Sequence, residues 1–160
     1  MQLSPTRRSS TCCTYLRFRS GSADGGRGGA RLDTATGKGA QCVFAVCTGV
    51  LICGAAGLIK GRQATTHWSA QHLPPFFGAV PVNKRVVVNG NMVFAAGVIS
   101  GIDGALYVAA RLRGEDAANS IQLDMEYAPE PPFNTGTPET APADILDSTR
   151  HLFEASMARR

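Results

Sequence analysis

Three residues able to act as nucleophile, base and acid stand in chain order at Cys47, His67 and Asp103, separated by 20 and 36 positions. Cys47 follows the apolar run Cys42-Val43-Phe44-Ala45-Val46 and precedes a small-residue-rich apolar stretch that ends at Gly61. β-Branched and aromatic residues come first, then a Cys-Thr-Gly break, so the pattern reads as a buried strand turning sharply into a helix. Such an elbow projects a side chain at the carboxyl edge of a parallel sheet. The N–H groups and dipole of the helix starting behind it favour an ionised sulfur. With His67 and Asp103 at element ends facing the same edge, a Cys, His and acid set is conceivable. Each member also has an ordinary reading: a packed structural thiol, a histidine capping a strand end, an aspartate capping a helix. Cys42 and Cys53 lie within apolar runs and suit the structural role better. Trp68 reads as packing, and His72 and His151 have no companions at metal-ligand spacing, so neither a metal nor another cofactor is expected.

These residues need elements to position them. Gln63-Ala64-Thr65-Thr66-His67-Trp68 reads as a short strand ending in its histidine, followed by a short helix through Leu73 that Pro74-Pro75 stops. Arg85–Val88 and Met92–Ala95 flank Asn89-Gly90-Asn91, the pattern of an antiparallel hairpin around a turn that needs a positive φ. Gly97–Gly101 is a loop entering a helix near Asp103 that Gly114 ends, and a second helix runs from Glu115 to about Tyr127. Pro129-Glu130-Pro131-Pro132-Phe133 forces an extended stretch, and the tail can form a short amphipathic helix over Ile145, Leu146, Leu152 and Phe153.

The 160 residues suffice for one modest core, and the formal charge of +4 is unevenly placed. Residues 1–40 hold seven Lys/Arg against two acids, 41–138 six against six, and 139–160 three against four. The excess positive charge therefore sits in the head rather than on a basic face of the folded part, and nucleic-acid binding is not expected. The Arg/Ser/Gly-rich head, 1–40, reads as disordered, with an organelle transit peptide as the functional alternative. Residues 42–59 carry no charge and just reach membrane-spanning length, but the strand-then-helix pattern and the lack of aromatic anchors argue for a buried core. Five cysteines without paired zinc spacing, and no secretory apolar region, point to a reducing, cytoplasmic setting.

Ala45-Val46-Cys47-Thr48-Gly49, then Gly54-Ala55-Ala56-Gly57-Leu58, Ala64-Thr65-Thr66-His67-Trp68 and Gly97-Val98-Ile99-Ser100-Gly101-Ile102-Asp103 resemble the ThiJ/PfpI family in order and spacing. Ile121-Gln122-Leu123 and Glu126-Tyr127-Ala128-Pro129-Glu130-Pro131-Pro132-Phe133 with Asn134–Pro138 are similar to the C-terminal signature of its isocyanide hydratase branch. The resemblance implies a partial flavodoxin-like α/β sandwich of the class I glutamine amidotransferase type over 41–138, with 139–160 as a tail, and a homodimer. It makes Cys47 the nucleophile and Thr48 the donor of a backbone N–H. His67 matches a histidine near the nucleophile in several relatives, and Asp103 an acid that can support it. The implied reaction on a small-molecule substrate is hydration of an isocyanide to an N-substituted formamide by a lyase. The alternative is a non-catalytic binding or regulatory protein of the same fold, since this domain also occurs fused to DNA-binding helices. The family's opening βα units, glycine-rich oxyanion turn and cysteine-bonding acid have no counterpart here. The truncation leaves Val43, Phe44 and Val46 with an apolar edge and face expected to be open, and activity in question.

Overall fold

The computed structural model describes residues 15–18 and 40–158. A four-stranded sheet runs in the order β1 (Tyr15–Phe18), β2 (Cys42–Val46), β6 (Met92–Ala95), β5 (Val86–Asn89). Only β2 and β6 are parallel, Val43 facing Met92 and Val46 facing Ala95; β1 and β5 flank them antiparallel. A second, two-stranded parallel sheet joins β3 (Gln63–Ala64) to β4 (Val80–Pro81). The helices are α1 (Gly49–Ala55), α2 (Ser100–Arg113), α3 (Glu115–Asp124) and α4 (Ala143–Ala158), with short 3-10 turns at Trp68–Ala70 and Pro74–Phe77.

The side-chain period of two explains why β2 and β6 occupy the centre. Val43, Ala45, Met92 and Phe94 point to one face, where Val50, Cys53, Ile59, Ala64 and Val87 complete a core. Cys42, Phe44, Val46, Val93 and Ala95 point to the other, packed with Val108 of α2. Both faces of β2 are thus covered, and its residues are buried throughout. The expected open edge and face are absent. β1 pairs along the outer edge of β2, and α2 lies against Phe44, where a Cβ on Gly104 would stand only 2.6 Å from the ring. Glycine at that position is what lets α2 approach the strand so closely. The rest of the expected unstructured head lies outside the described residues.

The hairpin forms as the alternation predicts. Gly90, at φ 62°, takes the first central position of a two-residue turn between Asn89 and Met92, as the II′ geometry requires. Other boundaries move. The stretch ending in His67 holds a strand of only two residues, and His67 begins a 3-10 turn instead of ending a strand. Pro74 and Pro75 open the second 3-10 turn, at positions where a missing N–H costs nothing, rather than stopping a helix. Asp103 sits in the first turn of α2 without capping it. α3 ends at Asp124: Glu126 adopts φ 50°, its N–H reaches the Leu123 carbonyl at 3.0 Å, and the Tyr127 N–H reaches that of Gln122 at 3.1 Å. That is a Schellman closure made without glycine. The tail helix forms, longer than expected, as α4.

The uncharged run 42–59 is divided into strand, turn and helix, and no helix of the described residues is long and apolar enough to cross a membrane.

Candidate active site

Cys47 occupies the one-residue link between the end of β2 and the cap of α1, with φ 57°. A left-handed backbone costs a non-glycine residue about 1–3 kcal/mol, so the surroundings must hold it in place. They do so on both sides of the residue. The Cys47 N–H donates to the Ala95 carbonyl at 2.9 Å, extending the β2–β6 ladder by one rung. The Cys47 carbonyl accepts the Thr66 hydroxyl at 2.7 Å and, more loosely, the Val50 N–H at 3.3 Å. At a net contribution of about 1 kcal/mol each, such bonds are of the size needed to offset the backbone cost. Thr48, next in the chain, is the N-cap of α1 by its backbone, with no side-chain cap.

The described cysteines form no disulfide among themselves and differ sharply in environment. Cys42 and Cys53 are fully buried; burial pushes both thiols up, Cys53 to about 12, and keeps them protonated and inert. Cys47 is only partly buried, against the Phe44 and Val46 side of the core. Among the described cysteines, position on the elbow and access to solvent therefore coincide in Cys47.

His67 follows Thr66, whose hydroxyl touches the elbow. Its Nδ1 lies 2.8 Å from Ser69 Oγ and accepts the Ser69 N–H at 3.4 Å, capping the 3-10 turn. The ring is partly buried between aromatic neighbours, with centroids 5.5 Å from Trp68 and 5.1 Å from Phe153 of α4. Desolvation lowers its pKa, which favours a neutral imidazole. Trp68, read as packing, contributes to this wall, its ring nearly perpendicular to that of Phe153 with centroids 5.8 Å apart.

Asp103 does not join that pair. Its Oδ2 accepts Arg85 Nε at 2.8 Å and pairs with the second guanidinium nitrogen at 2.6 Å, while Oδ1 accepts the Tyr127 hydroxyl at 2.7 Å. Both carboxylate oxygens are thus engaged by a clamp joining α2, the start of the hairpin and the segment after α3. The Tyr127 phenol pKa is raised, first by its hydrogen bond to the carboxylate. The expected support of His67 by Asp103 is replaced by the Ser69 contact.

Arg85, Tyr127 and Thr66 are the partners that sequence order leaves unassigned. Thr66 carries no local signal of its partner: the neighbouring Thr65 is equally buried, and its hydroxyl has no hydrogen-bond partner among the described residues. No group of three or more His, Cys, Asp or Glu side chains among the described residues could hold a metal ion.

Comparison with known proteins gives this arrangement its context. The model of the DJ-1/PfpI family matches residues 33–110. The isonitrile hydratase of Pseudomonas putida is 48% identical over 121 residues, covering 76% of this chain and 53% of that protein. A 26-residue stretch is 65% identical to an uncharacterized protein in the cpoL 5′ region of Streptomyces lividans, covering 16% of this chain and 18% of that one. Among solved structures, a ThiJ/PfpI family protein from Pseudomonas syringae superposes with a TM-score of 0.72 at 43% identity, covering 75% of this chain and 50% of that one. This chain therefore spans about half the length of these two Pseudomonas relatives.

Proposed function

We propose, for a chain that belongs to the DJ-1/PfpI family and shares its flavodoxin-like α/β fold, that Cys47 is the nucleophile of an isocyanide hydratase-like reaction. The observation that carries the reading is the strained, solvent-reached elbow at Cys47, set against two other thiols locked in the core. Similarity to the Pseudomonas putida isonitrile hydratase supplies the substrate class.

The chemistry suits such a sulfur. The Cys47 thiolate attacks the terminal carbon of R–N≡C, an S–C bond forms, and that carbon takes up a proton to give a thioimidate. Water adds to the same carbon, the C–S bond breaks, and R–NH–CHO leaves with the thiolate restored. Atoms balance as one isocyanide plus one water, with no oxidant or reductant. In this reading a neutral His67 takes a proton from the water, and the Thr48 N–H stabilises charge as it develops. Asp103 belongs to the scaffold in this reading. We extend the proposal to a homodimer in a reducing compartment; an apolar groove of about 450 Å³ beside α2 and α3, lined by Phe44, Val46, Ile102 and Ile121 among others, is consistent with further association.

The test is to incubate the purified chain with an alkyl isocyanide and follow N-substituted formamide by NMR. Release by the parent and its loss in Cys47→Ser are expected. Formamide production that survives Cys47→Ser would refute the nucleophile.

A second reading, a non-catalytic binding or regulatory module of the same fold, draws support from Asp103, both of whose carboxylate oxygens are engaged by Arg85 and Tyr127. A chain that leaves isocyanide unchanged and shows an ordinary thiol pKa at Cys47 would favour it.

A further inference from the structure

Besides the looser Val50 N–H contact to the Cys47 carbonyl at 3.3 Å, two hydrogen bonds bracket the strained residue, and they are unlike in origin. One, from the Cys47 N–H to Ala95, belongs to the sheet. The other comes from a side chain, the Thr66 hydroxyl, at 2.7 Å from the Cys47 carbonyl. Thr66 lies 19 residues on and only 1% of its surface is exposed. It is itself held: its N–H donates to Gln71 Oε1 at 3.2 Å, and Gln71 Nε2 donates to the Val82 carbonyl at 2.8 Å. A chain of contacts thus runs from the β4 region to the elbow.

We infer that Thr66 is a positioning residue for Cys47, its hydroxyl fixing the Cys47–Thr48 peptide so that the sulfur is presented and the Thr48 N–H faces away from Thr66. The second half follows from peptide planarity. In a trans peptide the C=O and the following N–H point in opposite directions, so whatever anchors the Cys47 carbonyl also aims the Thr48 donor. With the N–H of Cys47 pinned to Ala95, both torsions about its Cα are set. The inference concerns thiol presentation; its catalytic arm alone rests on the hydratase reading.

The adjacent threonine provides the control. Thr65 is equally buried, and its hydroxyl has no hydrogen-bond partner among the described residues. Thr65→Val therefore removes no bond, whereas Thr66→Val removes the one to Cys47 at nearly constant volume.

The experiment uses the full chain and measures two quantities. The rate of Cys47 alkylation by iodoacetamide is followed against pH by peptide mapping, and formamide turnover is followed in parallel. Thr66→Val should move the alkylation midpoint to higher pH and lower kcat by about 100-fold with KM near the parental value, the size of effect expected when a reacting geometry is misplaced by about 1 Å. Thr66→Ser should recover most of both, and Thr65→Val should match the parent. A parental profile and kcat in Thr66→Val overturn the inference, as does an equal loss in Thr65→Val, which would mark the effect as packing. If Thr66→Val does not fold by circular dichroism, Thr66→Ala against Thr66→Ser decides, since both lack the methyl and differ in the hydroxyl. Should the parent release no formamide, alkylation decides alone: an effect of Thr66 there sustains the positioning role while the hydratase reading falls, and no effect overturns the role.

Discussion

The Tyr127 hydroxyl donates to Oδ1 of Asp103 at 2.7 Å, across a gap of 24 residues. The contact depends on the glycine-free ending of α3, because the left-handed Glu126 is what turns the chain back towards α2. With Arg85 on the other oxygen, the carboxylate links three segments near the sheet edge on which the elbow stands. Both of its oxygens are engaged in this clamp.

Asp103→Asn should therefore act on stability rather than on the thiol. The ion pair is largely exposed on the arginine side, so its loss is expected to cost no more than about 1 kcal/mol, and the amide oxygen can still accept from Tyr127. Thermal unfolding should shift slightly, while the pH profile of Cys47 alkylation stays parental. A profile displaced from the parental one would return Asp103 to the catalytic set.

His67 gives a pH dependence whose sign is fixed by burial. Desolvation holds its folded pKa below the ordinary value of about 6.5, so the unfolded chain binds a proton more readily than the folded one. Stability from this residue is present above about 6.5, is lost as pH falls through the window down to the native pKa, and then levels off. Urea midpoints of the parent and of His67→Phe should converge or diverge only below about 6.5, with the parent showing the steeper loss on acidification. Parallel curves across that range would remove the buried, neutral imidazole.

Gly104→Ala tests the packing of α2 on β2. Alanine gains about 1 kcal/mol in helix propensity, but its Cβ would meet Phe44 Cε2 at 2.6 Å and Ala95 Cβ at 3.3 Å. The Phe44 ring, 3% exposed, must shift to admit the Cβ, so overpacking should dominate, with a net loss of about 1–3 kcal/mol in chemical denaturation. A stabilised variant would mean that α2 sits farther from the sheet.

How much of this was legible in the residues can be traced position by position. The elbow was, because an apolar β-type run, a Cys-Thr-Gly break and a small-residue run change period at one point, Cys47. The hairpin was, because Asn89-Gly90-Asn91 carries its turn chemistry locally. Partners distant in sequence were not. Nothing at Thr66 announces that its hydroxyl meets a carbonyl 19 residues earlier, and nothing at Glu126 announces a left-handed turn usually given to glycine. Pro74-Pro75 misled because proline ends one helix and begins another with equal ease, and only tertiary packing chooses. The strand at 15–18 was hidden in a segment whose composition favours disorder, since pairing with β2 is a property of the edge it meets.

The sulfur is best tested by trapping it. The chain is mixed with an alkyl isocyanide, quenched in acid during turnover, digested and mapped by mass spectrometry. An increment equal to one isocyanide on the peptide bearing Cys47, absent from Cys47→Ser, is the predicted result. Formamide released with that peptide unmodified, or the increment on Cys42 or Cys53 instead, would contradict the account.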